Sequence, residues 1–247
     1  MKSSPKEVLL ILAFILSSIF FLVPNKTYAI ITFVSSTNAV GASITPAAHN
    51  VGDLIVIYAY RYSNATPATL STGYTNILGG GNANVSVRAA WVIATTTGGS
   101  SAWANATGMM ALVYRGAAGI GAATSSAALS GTTCMYPSIS ASSSVQTSWI
   151  VRLATRASMD SLLQTNLPNS MTLRNANASS TAPFQIAVDT NGPMLATEAT
   201  STVSCGSANS AYVTDSFELV QKVARRMRIF QGYRMKIIDG RIKLYQS

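Results

Sequence analysis

The sequence predicts an all-β protein, an antiparallel β-sandwich or jelly roll, on three observations. The run VSVRAAWVIA puts Val85, Val87, Ala89, Trp91 and Ile93 on one side and Ser86, Arg88 and Ala90 on the other, the two-residue period of a half-buried strand. The run VGDLIVIYAYRY is apolar on both sides, with Leu54, Val56 and Tyr58 alternating with Ile55, Ile57 and Ala59, as a central strand covered on both faces requires. Between such runs stand clusters of Gly, Ser, Thr, Asn and Pro, the punctuation of turns in sandwiches and barrels.

Taken in order, the chain of 247 residues opens with MKSSPKEVLLILAFILSSIFFLVPNKTYA. A charged start, an apolar stretch from Val8 to Val23 and the ending Thr27-Tyr28-Ala29 form the pattern of a signal peptide cut after Ala29. Left uncut, residues 1–29 would be a hydrophobic helix serving as a membrane anchor. Either way the protein is expected outside the cytoplasm, as an extracellular or exported protein. Residues 30–219 read as one sandwich domain with strands near 30–34, 53–62, 85–94, 108–115, 132–141, 148–155, 183–189, 201–205 and 211–219. The stretches TPATLSTGYTNILGGGNAN and TTTGGSSAWANATG read as exposed loops long enough to carry binding. Gly119-Ile120-Gly121 is a partial dinucleotide fingerprint without its third glycine or its strand-turn-helix setting, and it reads as a loop. Trp91, Trp103 and Trp149 read as core.

The net charge of +9 is not spread evenly. Residues 30–219 hold six arginines, no lysine and six acids, so the body is neutral and unsuited to broad capture of a polyanion. Residues 220–247 carry eight Lys or Arg against Asp239. In this basic extension Val220, Val223, Ala224, Met227 and Phe230 suggest one side of a short helix, with Lys222, Arg225, Arg226 and Arg228 around it. The segment MKIIDGRIKLY then predicts a hairpin turning at Asp239-Gly240, with Ile237 opposite Ile242, Lys236 opposite Lys243 and Met235 opposite Leu244. Lys222, Arg225, Arg226, Arg228, Arg234, Lys236, Arg241 and Lys243 are the candidate contacts for an acidic partner or an anionic membrane.

Chemistry is sparse. His49, the one histidine, has no Cys, Glu or second His near it in sequence and reads as a turn residue bonding locally. No G-x-S-x-G elbow occurs, and a two-carboxylate glycosidase would need acids among Asp53, Asp160, Asp189 and Glu198 to converge in the fold. No catalytic residue, metal ligand or cofactor site is assigned. Arg61, Arg115 and Arg152 sit at or near strand ends, where they read as solvent-facing residues that blunt edge pairing or meet a body acid. Cys134 and Cys205 are a candidate disulfide in an oxidising compartment.

The runs VGDLIVIYAYR, TPATLSTGYTNI, AAWVIATTTGGSSAWANATGMMALVYRG and TSWIVRLATRAS together resemble a β-sandwich module of tailed-phage tail, fibre and other virion structural proteins. The likeness spans about residues 30–220, and the module brings no catalytic residues. It implies a non-enzymatic virion or tail-associated structural or host-attachment protein, touching other virion proteins, surface glycans or a second copy of itself. The leader and polar loops support an alternative, an exported bacterial cell-surface adhesin or carbohydrate-binding protein.

Overall fold

The structure, a computed structural model, describes residues 26–142, 147–157, 167–168, 171–177, 184–194, 197–205, 210–225, 233–238 and 241–246. In chain order the first strands are Lys26–Tyr28 (β1), Thr32–Val40 (β2), Ser43–Ile44 (β3), Leu54–Tyr62 (β4), Thr75–Gly81 (β5), Val85–Ile93 (β6), Ser101–Ala102 (β7) and Gly108–Arg115 (β8). Next come Ala117–Ala128 (β9), Thr133–Tyr136 (β10), Ile139–Ser140 (β11), Trp149–Arg156 (β12), Thr172–Asn177 (β13) and Phe184–Asp189 (β14). The last are Thr197–Glu198 (β15), Ser201–Ser204 (β16), Tyr212–Gln221 (β17), Val223–Arg225 (β18), Tyr233–Ile238 (β19) and Arg241–Gln246 (β20).

Ala29–Lys222 forms one compact unit. Its two large sheets are antiparallel throughout, one ordered β2-β8-β4-β6-β5 and the other β13-β14-β12-β17-β9. They pack face to face as a β-sandwich, because a single apolar cluster takes Leu54, Val56, Tyr58, Val87 and Leu112 from the first sheet and Val151, Leu153, Val213, Phe217 and Leu219 from the second. The VGDLIVIYAYRY run supplies β4, central in its sheet and buried along most of its length.

Both outer faces are covered as well. Over the first sheet, Ile44, Ala68, Trp103 and Ala106 from the excursions close on Ile55, Ile57, Ala90, Ala111 and Val113. Over the second, Cys134, Tyr136, Ile139, Met194 and Cys205 close on Ile150, Ala154, Ile186 and Val188. This corrects the half-buried reading of β6: Ser86 and Ala90, on its supposed wet side, are buried. The rims are closed by side chains. Asn38 Nδ2 donates to Asn175 Oδ1 at 2.7 Å and Ser36 Oγ to the Arg174 carbonyl at 3.1 Å, joining β2 to β13. At the opposite rim Asn82 Nδ2 donates to the Ala128 carbonyl at 2.8 Å.

Three strands of the two large sheets were not expected. β5 lies in the first polar stretch, β13 in a segment read as connection, and β9 contains the Gly119-Ile120-Gly121 loop reading, which is thereby corrected. The two glycines belong there for steric reasons. A Cβ on Gly121 would sit on Glu218 Oε2 and Ser142 Oγ, and one on Gly119 would press on the Trp91 ring at 3.3 Å. The expected strand at 132–141 is interrupted at Pro137, which has no N–H for a ladder, and becomes β10 and β11.

A second compact unit includes β1, paired antiparallel with β18, and the β19–β20 hairpin. The hairpin has the expected register, with Ile237 against Ile242, Lys236 against Lys243 and Met235 against Leu244. The expected helix at the start of the basic extension is corrected: Val220 and Gln221 end β17, and Val223–Arg225 is a strand. β-branched Val220 and Val223 and the pairing partners on β17 and β18 favour extension there over the weak helical pattern. Arg226, Arg228, the Asp239-Gly240 turn and the leader helix of residues 1–25 lie outside the described residues.

Candidate functional site

The two long polar stretches meet on the outer face of the first sheet. They form a cleft of about 250 Å³ whose floor includes Ile55 of β4 and Val92 of β6 and whose walls include Pro46, His49, Tyr74, Thr95, Thr96, Gly98, Gly99 and Ser100. Tyr74 is set by Trp103, against which it packs edge-on with ring centroids 5.4 Å apart. Trp103 is fully buried, and its indole N–H donates to Ser101 Oγ at 2.7 Å. Burial raises the Tyr74 phenol above its ordinary pKa, and a hydrogen bond with Ser101 partly opposes the rise. The second loop is braced by Thr96 Oγ1 donating to the Gly98 carbonyl at 2.6 Å.

His49 behaves as the sequence suggests, with Nδ1 2.8 Å from the Ala47 carbonyl. A carbonyl only accepts, so Nδ1 is the donor of that pair. No Lys, Arg, Asp or Glu lines the cleft. Hydroxyls, backbone groups and one aromatic ring on an apolar floor suit a neutral, hydroxyl-rich ligand better than an anion.

Beside the cleft, the VGDLIVIYAYRY run and the MMALVYRG run are tied together. The Gly52-Asp53 turn has Gly52 at φ 90°, and buried Asp53 receives Arg115 Nε on Oδ1 and Arg115 Nη2 on Oδ2, both at 2.9 Å. The Asn50 N–H adds a third bond to Asp53 at 2.8 Å. Burial alone would raise the Asp53 carboxyl; the Arg115 and Asn50 hydrogen bonds and the nearby positive charge outweigh it and hold it below its ordinary pKa. Gly116, at φ 79°, ends the motif where any Cβ would overlap the Ile30 carbonyl.

The other expected residues are placed as follows. Arg61 donates to the Thr66 carbonyl at 2.9 Å and Arg115 meets Asp53, in keeping with the surface reading of both. Arg152 corrects it: its side chain is fully buried on the outer face of the second sheet. It donates to the Ala199 carbonyl at 2.5 Å, lies 3.7 Å from Glu198 and stands over the Tyr136 ring. Arg156 is also buried and donates to the carbonyls of Cys205 and Gly131. These guanidiniums satisfy the carbonyls of the covering segment, which an apolar face could not do. Cys134 and Cys205 are joined by a disulfide within the same cover, their Cα atoms 5.5 Å apart.

Of the acids considered for glycosidase chemistry, Asp53, Asp189 and Glu198 each face a different arginine: Arg115, Arg174 and Arg152. Asp160 lies outside the described residues. Lys222 is exposed at the end of the sandwich unit. Arg225, Arg234, Lys236, Arg241 and Lys243 fall on β18, β19 and β20.

Sequence reasoning missed a polar group in the interlayer core, where Tyr58, Thr155, Gln185 and Asp215 are fully buried. Its signal was present in YVTDSFELV, where Val213, Asp215, Phe217 and Leu219 share a face and one of the four is a carboxylate. Burial raises the Asp215 pKa to about 7, against the opposing influence of the nearby Ser125 and Tyr58 hydroxyls.

No protein-family model matches the chain, and comparisons with the curated proteins and with the solved structures find no match either.

Proposed function

We propose that the chain is a non-enzymatic structural and host-attachment component of a tailed-phage virion. The observation that carries this reading is the convergence of two long polar loops on one uncharged cleft, backed by a sheet packed on both faces. Loops fixed on a rigid sandwich are a general way of presenting a binding surface. The uncharged lining favours a surface glycan as ligand, and the likeness of residues 30–220 to virion modules supplies the setting, with other virion proteins or a second copy as neighbours.

The test has two arms. Mass spectrometry of purified virions should find the chain among the structural proteins, and the purified protein should adsorb to host cells. Tyr74→Ala should weaken that adsorption at least about tenfold, the effect of losing ~1.4 kcal/mol of binding energy. Virions without the chain overturn the structural role. Adsorption unchanged in both Tyr74→Ala and Thr95→Ala overturns the site.

A second reading, an exported bacterial cell-surface adhesin or carbohydrate-binding protein, is favoured by the Cys134–Cys205 disulfide, since such bonds persist mainly in oxidising compartments. Surface biotinylation of uninfected cells separates the two: labelled protein there supports the adhesin, and its absence supports the virion.

A further inference from the structure

We propose that Thr155 and Gln185 are joined by an intramolecular ester bond, formed by the protein itself inside the sandwich with Tyr58 and Asp215 moving the proton. The inference starts from register. Thr155 on β12 and Gln185 on β14 are direct Cα partners, and directly opposed residues of an antiparallel pair have Cβ atoms only about 4.5–5.5 Å apart. Both face the interlayer core, because Val151 and Leu153 on β12 and Ala187 on β14, which alternate in phase with them, belong to that core. At that spacing a threonine hydroxyl is within reach of a glutamine carboxamide on the facing strand.

The second observation is what these atoms lack. The hydroxyls of Thr155 and Tyr58, Gln185 Oε1 and both carboxylate oxygens of Asp215 are buried side by side, and none of them is held in a well-formed hydrogen bond. Gln185 Nε2 donates at 3.4 Å to the Tyr58 carbonyl, a long contact. Buried polar groups are nearly always paired, and each exception asks for an account. Four residues whose polar atoms are so poorly hydrogen-bonded in one core make a costly arrangement if its role is purely structural. Conversion of the hydroxyl and carboxamide to an ester removes one donor group and the amide nitrogen, and so lowers that cost.

The proton path is also present. The Tyr58 phenol interacts with both Thr155 and Asp215, so it stands between the hydroxyl that must lose a proton and the carboxylate that can take one. Burial raises the Asp215 carboxyl from its ordinary range, which makes its carboxylate a stronger proton acceptor than an exposed one. Thr155 Oγ1 attacks Cδ of Gln185 and its proton passes to the Tyr58 oxygen, while the Tyr58 proton moves to Asp215. A C–O bond forms and the carbonyl π pair moves onto Oε1. Collapse of this tetrahedral species reforms the carbonyl and breaks the C–N bond, and the departing nitrogen takes the proton from Asp215 and leaves as ammonia. The balance is hydroxyl plus carboxamide giving ester plus ammonia, with Tyr58 and Asp215 restored and no oxidant or reductant involved. The closed core then keeps water from the ester.

Intact-mass measurement of the full chain, with the disulfide reduced, tests the proposal. The expected mass is that of the sequence less one ammonia, and tandem spectra should show the peptides containing β12 and β14 joined and released by hydroxylamine. Thr155→Val should restore the full mass. Asp215→Asn and Tyr58→Phe, each changing little volume, should leave most of the chain unlinked. A folded wild-type chain with full mass and separate peptides overturns the proposal. So does a mass loss that persists in Thr155→Val, or one that maps to Asn191-Gly192, where succinimide formation also releases ammonia.

Discussion

Asp53 and Asp215 are both buried carboxyls, and their environments give them opposite effects on stability against pH. Asp53 sits between Arg115 and the Asn50 N–H with its pKa lowered, so it binds fewer protons folded than unfolded. Its contribution is full above the ordinary value of 3.8 and is lost as pH falls through the lower folded value. For Asp215, burial raises the value from 3.8 to about 7, so the folded state holds a proton that the unfolded state has released. Stability from that group falls as pH rises between those two values. Urea unfolding at a series of pH values should therefore show Asp215→Asn removing a decline between about pH 4 and 7, and Asp53→Asn flattening the loss below pH 4. The reverse assignment of the two slopes would refute this account. Gly121→Ala is expected to lower stability by about 1–3 kcal/mol in the same assay, because its Cβ would displace the Glu218 carboxylate that Ser142 and the Ala122 N–H hold. None of this was legible one residue at a time: Asp53 showed as a turn residue, but its arginine is 62 positions away.

Strands were legible where apolar residues mark a period, and illegible where small residues erase it. β4, β6, β8, β12, β14 and β17 carry Val, Ile, Leu, Tyr or Trp in alternation or in continuous runs, and these were found. β9, AAGIGAATSSAA, has almost no contrast between its sides; its pairing with β17 and the room that Trp91 and Glu218 leave for glycine decide its form. The cleft was half legible, since its two loops were recognised as loops while their meeting depends on how β4 and β6 place them. The cover of the second sheet makes an element-scale prediction. It is pinned by the disulfide, Arg152 and Arg156, and the disulfide closes a separation of 71 residues, worth roughly 4 kcal/mol in the chain-entropy treatment. Replacing both cysteines by serine should lower the unfolding free energy by about 2–5 kcal/mol and speed amide exchange in β10 and β16 before β4. Equal exchange in all three strands would show that the cover has no stability of its own.

The charge of the molecule is divided, with a neutral body and eight of its seventeen Lys and Arg in residues 220–247. Deleting residues 223–247 is expected to leave the sandwich's cooperative thermal transition in place and to abolish sedimentation with anionic vesicles. Binding by the full chain should weaken steeply from low to physiological salt, where the screening length falls to about 8 Å. Binding that survives the deletion would move the cationic surface elsewhere, and a lost transition would make the extension part of the core.

The stitched rims bear on life at high density. Each large sheet ends in strands that ordinarily invite another chain to extend the ladder, yet Asn38, Ser36 and Asn82 turn those ends toward the opposing sheet of the same molecule. Copies crowded side by side would then find these strand ends already engaged within their own molecule, which disfavours sheet-to-sheet joining between copies.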